Sequence, residues 1–80
     1  MRHSEKEKEE KMYLLGRTIA ENIRNKRIEK GWDIEDMVFY TGLSERTITN
    51  LEAGCCNPEI KTLLHLSMAI GCPLSELISI

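Results

Sequence analysis

Eighty residues carrying a net charge of −2 make one small domain and leave no room for a second. With 41% hydrophobic and 30% charged residues the composition is that of an ordinary folded chain, which excludes global disorder. No apolar run approaches the roughly 18 residues of a membrane span, and the N-terminus is charged where a signal peptide is apolar, so the expected compartment is the cytoplasm, with no membrane partner.

Residues 1–11 read MRHSEKEKEEK, four basic and four acidic groups without an apolar face. This stretch is either a disordered tail or a solvated extension of the first helix, and the domain proper is expected over 12–80. From Tyr13 onward Leu15, Ile19 and Ile23 recur every four residues, flanked by Leu14, as on the buried face of an amphipathic helix. Lys30 and Gly31 supply its stop, which predicts helix 1 over about residues 10–30.

Asp33 is a good N-cap, Asp36 three residues on completes a capping box, and Trp32 is placed to staple onto Met37. Met37 and Val38 are the core residues of this short helix 2, and Gly42 ends it. Ser44 caps helix 3, in which Ile48 and Leu51 point inward while Glu45, Arg46, Thr49 and Asn50 point outward; Gly54 stops it. Asn57-Pro58-Glu59 reads as the start of helix 4, with Asn57 as cap and Pro58 in the first turn. Leu63, Leu66, Ala69 and Ile70 are its buried stripe, Gly71 its end. Pro73 opens a last short helix with Leu74, Leu77 and Ile78. No strand-type alternation appears, so the expected fold is all-α with five helices.

Asp33 to Gly54 holds a helix of about eight residues, a turn at Gly42 and a helix of about ten, the description of a helix-turn-helix. In that arrangement the second helix enters the DNA major groove with its N-terminal outward side chains against base edges. Gly42 is expected because the crossing leaves no space for a β-carbon; Val38 is small enough for helix 2 to approach helix 3, and Leu43 and Ile48 plug the gap between them.

Over about residues 15–79 the sequence resembles the Cro and phage-repressor proteins of the XRE family. The matching positions are Ile23, Arg27 and Gly31; Met37, Val38, Gly42, Leu43 and Ser44; Ile48, Leu51, Glu52 and Gly54; and Pro58, Leu63, Gly71 and Leu77. The resemblance implies a lambda-repressor-like fold and a sequence-specific transcriptional regulator that binds double-stranded DNA as a homodimer. It also implies base-reading positions at Glu45, Arg46 and Asn50, with Ser44, Thr47 and Thr49 near the backbone, and an ion pair between Arg27 and Glu52. The residue types suit these roles: Arg46 can hold guanine through two hydrogen bonds, Asn50 adenine, and Glu45 can accept from cytosine. Outward polar residues are also what any solvated helix face carries.

The sequence departs from the family pattern in two places. Ile34 stands where relatives place a phosphate-binding Gln, and Cys55-Cys56 follow Gly54 where relatives often have Lys or Arg. An exposed Ile34 fits a protein contact instead. The alternative function is therefore an interaction module that keeps the fold and binds DNA weakly or not at all.

An enzyme is not expected. His3 is in the tail, His65 lies in the apolar pattern of helix 4 without a carboxylate partner, and there is no Gly-rich phosphate loop. Cys55, Cys56 and Cys72 are an odd number and read as free thiols; the spacing of these with His65 is not that of a zinc site. Neither a metal, another cofactor nor a small-molecule ligand is expected.

Overall fold

The backbone is described for residues 5–54 and 58–79 of a computed structural model, with side chains from residue 14 onward. Five helices follow one another: α1 (Glu5–Glu29), α2 (Ile34–Thr41), α3 (Glu45–Ala53), α4 (Ile60–Ile70) and α5 (Leu74–Ile78). Among the described residues there is no strand.

α1 is the support on which the rest is built, and it packs against α3 and α5. It closes in a Schellman motif: the Gly31 N–H donates to the Ile28 carbonyl at 2.9 Å and the Trp32 N–H to the Arg27 carbonyl at 3.1 Å. α2 starts in a full capping box, Asp33 Oδ1 accepting from the Asp36 N–H at 2.8 Å and Asp36 Oδ2 from the Asp33 N–H at 3.0 Å. Trp32 packs against the core, and its ring also stacks on Tyr40 with centroids 4.5 Å apart.

All five helices contribute to one core: Ile19 and Ile23 from α1, Met37 from α2, Ile48 and Leu51 from α3, Leu63, Leu66 and Ile70 from α4, and Leu77 from α5. Two expectations need correction. Leu15 shares the helical stripe of Ile19 and Ile23 but is exposed, as is Leu14. At 1.5 Å per residue the 25-residue α1 is more than twice as long as any helix beside it, so its N-terminal part runs past the core. α4 begins at Ile60, later than the Asn57-Pro58 signal suggests, and Glu59 takes the cap position in extended conformation without a side-chain bond. Asn57 itself, like Cys55 and Cys56, lies outside the described residues.

The last turn of α5 is tied back to α1. Asn22 Nδ2 donates to the carbonyls of Leu77 at 2.9 Å and Ser79 at 2.8 Å, which supplies partners for acceptors that a helix end leaves unpaired. Beside this tie Lys26 Nζ lies 2.8 Å from Glu76 Oε2.

Candidate nucleic-acid interface

α2 and α3 meet through the turn at Gly42 and Leu43. Gly42 sits at φ 72° and its N–H donates to the Val38 carbonyl at 2.9 Å. A β-carbon built there meets nothing within 4 Å, so the expected steric reason for this glycine does not hold. The left-handed backbone is the reason, since a side chain disfavours positive φ even in open space.

Thr41 braces the same turn from inside. Its buried hydroxyl donates to the Met37 carbonyl at 2.5 Å and accepts from the Leu43 N–H at 3.2 Å. The Thr41 carbonyl in turn accepts from His65 Nε2 of α4. Nothing in the helical period marks Thr41 as a turn-holding residue, because a threonine at the end of an apolar helix is equally a solvent-facing group.

Ser44 caps α3, its Oγ accepting from the Thr47 N–H at 3.1 Å and lying 2.8 Å from Thr47 Oγ1. The two hydroxyls are therefore linked to each other within the cap. Thr49 Oγ1 donates to the Arg46 carbonyl at 3.0 Å. Ser44, Glu45, Arg46, Thr49 and Asn50 are exposed, while Thr47 is half-buried. Glu45 and Arg46 follow directly on the cap, one residue apart, at the end of α3 where the backbone N–H groups favour anions. Among the described residues no ion pair holds either of them.

The other end of α3 is fixed to α1 by charge. Arg27 Nε donates to Glu52 Oε2 at 2.8 Å and Nη2 to Oε1 at 2.9 Å, while Nη1 donates to the Trp32 carbonyl at 2.9 Å. The carboxylate holds the Arg27 proton more firmly than usual and raises its pKa, through the hydrogen bonds first, against the opposing effect of burial. Arg24 adds a third contact from one helical turn earlier, Nη2 donating to the Glu52 carbonyl at 2.9 Å. Sequence reading missed Arg24, although its i, i+3 spacing to Arg27 puts both on one face. Gly54 lets the chain turn away beside α1: at φ 72° it lies close enough that an added β-carbon would touch Arg17 at 3.5 Å and Ala20 at 3.6 Å.

Ile34 is half-buried and packs against the core, so the expectation of an exposed apolar residue open to a protein partner is corrected. It is the first residue of α2, directly after the Asp33 cap.

A profile of the Cro/C1-type helix-turn-helix DNA-binding domain matches residues 22–80, which takes in all of α2 to α5 and the ion-paired end of α1. The chain belongs to the Cro/C1-type helix-turn-helix DNA-binding domains. This Cro/C1-type chain is 32% identical over 65 residues to the uncharacterized HTH-type transcriptional regulator y4dJ of Sinorhizobium fredii, a stretch covering 81% of this chain and 84% of the relative. Its fold is similar to the crystal structure of a hypothetical transcription factor, NHTF, from Neisseria, with a TM-score of 0.75 and 25% identity over 80% of this chain and 74% of that one. All-helical architecture, helix-turn-helix and DNA binding are thus the properties of a Cro/C1-type domain. No helix among the described residues is long and apolar enough to cross a membrane, and no group of three metal-ligating side chains is found among them.

Proposed function

We propose that the chain is a transcriptional regulator acting in the cytoplasm, which binds double-stranded DNA in a sequence-specific way as a homodimer. In this reading α3 lies in the major groove, where Glu45, Arg46 and Asn50 meet base edges and Ser44, Thr47 and Thr49 lie near the phosphates. The observation that carries it is the exposed row Glu45, Arg46 and Asn50 on a helix fixed at its far end by Arg27 and Glu52. Base reading requires donors and acceptors held in place before the DNA arrives, and a helix pinned at one end and capped at the other meets that requirement. The names of the relatives, a transcriptional regulator and a transcription factor, support the regulatory part. The proposal assigns the chain no catalytic step and no cofactor.

Ile34 bears on affinity. Packed on the core, it offers no hydrogen bond to a phosphate at the start of α2, so the domain is proposed to be a weak binder for its fold. A binding-site selection from random duplexes tests the reading, followed by titration of the winning site at several salt concentrations. An enriched sequence and an affinity that falls with salt are expected. Recovery of unenriched DNA with no salt-dependent binding would overturn it.

A further inference from the structure

The turn between α2 and α3 is tied to a helix outside the pair. His65 of α4 stands 24 residues along the chain from Thr41, and its Nε2 bonds the Thr41 carbonyl. A carbonyl oxygen only accepts, so the His65 ring carries a hydrogen on Nε2. Thr41 is the last residue of α2, and its carbonyl is among those that a helix end leaves without a partner inside the helix. The Thr41 hydroxyl braces the turn, bonding the Met37 carbonyl at 2.5 Å and the Leu43 N–H at 3.2 Å. His65 therefore holds the residue that holds the turn.

Burial places this histidine at the rim of the domain. Its neighbour Leu66 is buried, Thr62 and Ala69 about one helical turn to either side are half-buried, and His65 itself is exposed. Its ring adds little to the core; what it fixes is a direction. Ser44, the α3 cap, comes three residues after Thr41, and Glu45 and Arg46 follow the cap. At its far end α3 is held to α1 through Arg27 and Glu52. With that end held, a small movement of the Thr41 turn swings the start of α3, where Glu45 and Arg46 stand. Contacts to base edges need placement within about 0.5 Å and 10–20°. Attraction to phosphates reaches over roughly 10 Å and is far less sensitive to tilt.

We propose that His65 is a positioning residue for base reading, which sets the tilt of α3 through the Thr41 carbonyl and does not itself touch DNA. This role rests on the DNA-binding reading. One neutral hydrogen bond is worth roughly fivefold in an equilibrium constant. Without His65 the reading pose of α3 loses up to about that factor in population, and the apparent affinity for the selected site falls with it. Phosphate attraction on an unselected duplex does not require the pose.

The full chain is compared with three variants. His65→Ala removes the ring, His65→Met keeps bulk without a donor, and His65→Gln puts an amide nitrogen where Nε2 stands. Residual dipolar couplings in the absence of DNA read the tilt of α3 against α1 and α4. Titrations on the selected site and on an unselected duplex read the ratio of the two affinities. In His65→Ala and His65→Met the α3 couplings are expected to change and the ratio to fall about fivefold, all of it on the selected site. His65→Gln is expected to recover both. A purely structural role would lower the melting temperature and leave couplings and ratio at their wild-type values, which overturns the proposal. An equal fall on both duplexes, the mark of a direct phosphate contact, overturns it as well, as does a loss that His65→Gln fails to recover. A wild type that prefers no duplex removes the DNA-binding reading and base reading with it, while a tilt of α3 that follows the His65 donor still stands.

Discussion

Arg27, in the last turn of α1, holds both carboxylate oxygens of Glu52, in the last turn of α3, through two parallel hydrogen bonds. With its remaining nitrogen on the Trp32 carbonyl, one guanidinium joins the support helix, the loop after it and the helix proposed to read DNA. Both side chains are largely withdrawn from solvent, at 16% and 8% exposed. Removing Glu52 strands Arg27, and removing Arg27 leaves the Glu52 carboxylate only Arg24 Nε, 3.8 Å from Oε1. Arg27→Met is expected to lower unfolding free energy on the order of 3–5 kcal/mol, enough to unfold a marginal domain of this size. Arg27→Lys keeps the charge and loses the paired geometry, and is expected to fall between. Urea unfolding followed by circular dichroism ranks the three chains; equal midpoints would show the pair to be dispensable.

Arg46→Ala is expected to cost about 1–3 kcal/mol on the selected DNA site and to relax preference at one base pair. Glu45→Ala, if Glu45 accepts from a cytosine, relaxes a different position, with a smaller loss or even a gain in overall affinity because a negative charge leaves the phosphates. Selection repeated with each variant shows which position becomes degenerate. Unchanged profiles in both would place base reading elsewhere.

Ile34→Gln has two opposite consequences. The side chain leaves the hydrophobic cluster, so stability is expected to fall by about 1–2 kcal/mol. Gln restores a hydrogen-bonding group at the start of α2, so DNA affinity is expected to rise for every sequence alike, by about 1 kcal/mol. Thermal melts and titration on a random duplex read the two separately; a rise confined to the specific site would contradict a phosphate contact.

Thr41→Val keeps the shape of the side chain and removes the hydroxyl that bonds Met37 and Leu43. The Leu43 N–H then lacks its partner in a half-buried turn, at a cost of about 1–3 kcal/mol. Hydrogen exchange at Leu43 is expected to quicken more than exchange in α4. Uniform quickening across the domain would mean a global loss of stability with no particular tie to the turn.

Stability is expected to decline on the alkaline side. The hydrogen bond to Glu76 raises the Lys26 pKa above the ordinary 10.5, and burial pushes the Cys72 thiol above 9.0. Both groups bind their proton more tightly folded than unfolded. Each contribution is therefore whole below the unfolded pKa and lost as pH rises through the folded one. Melting temperature should begin to fall above about pH 9 and fall further above about pH 10.5. Cys72→Ser removes the first part of the decline, and Lys26→Met the second. A wild-type curve that is flat to pH 11 would contradict both shifts.

The caps were the most legible part of the fold, because capping is local chemistry. Asp33 with Asp36, Ser44 with the Thr47 N–H, and the glycines closing α1 to α4 all lie within a few residues of the groups they satisfy. Leu15 failed because period alone says which face a residue is on and not how far along the helix the core extends. Ile34 fails for a related reason: an apolar residue at a family's polar position reads as exposed, while its side chain packs against the core. In the proposed interface, the outward direction of Glu45, Arg46, Thr49 and Asn50 follows from the 3.6-residue period. The links between Ser44 and Thr47, and from Thr49 to the Arg46 carbonyl, depend on rotamers that no pattern encodes. Arg24 and Asn22 escaped because their partners are carbonyl groups far along the chain, and every residue has a carbonyl.

Asn22 joins positions 55 and 57 residues apart. On a ribosome adding roughly 5–20 residues per second, α1 emerges seconds before Leu77 and Ser79 are made, and until then the Asn22 amide and the apolar face around Ile19 and Ile23 have no lasting partner there. Local turns such as the Asp33 capping box can close during synthesis, whereas the domain as a unit can only be completed once α5 has left the exit tunnel. A nascent chain stalled short of Leu77 is thus the form in which this protein is most open to proteases and chaperones.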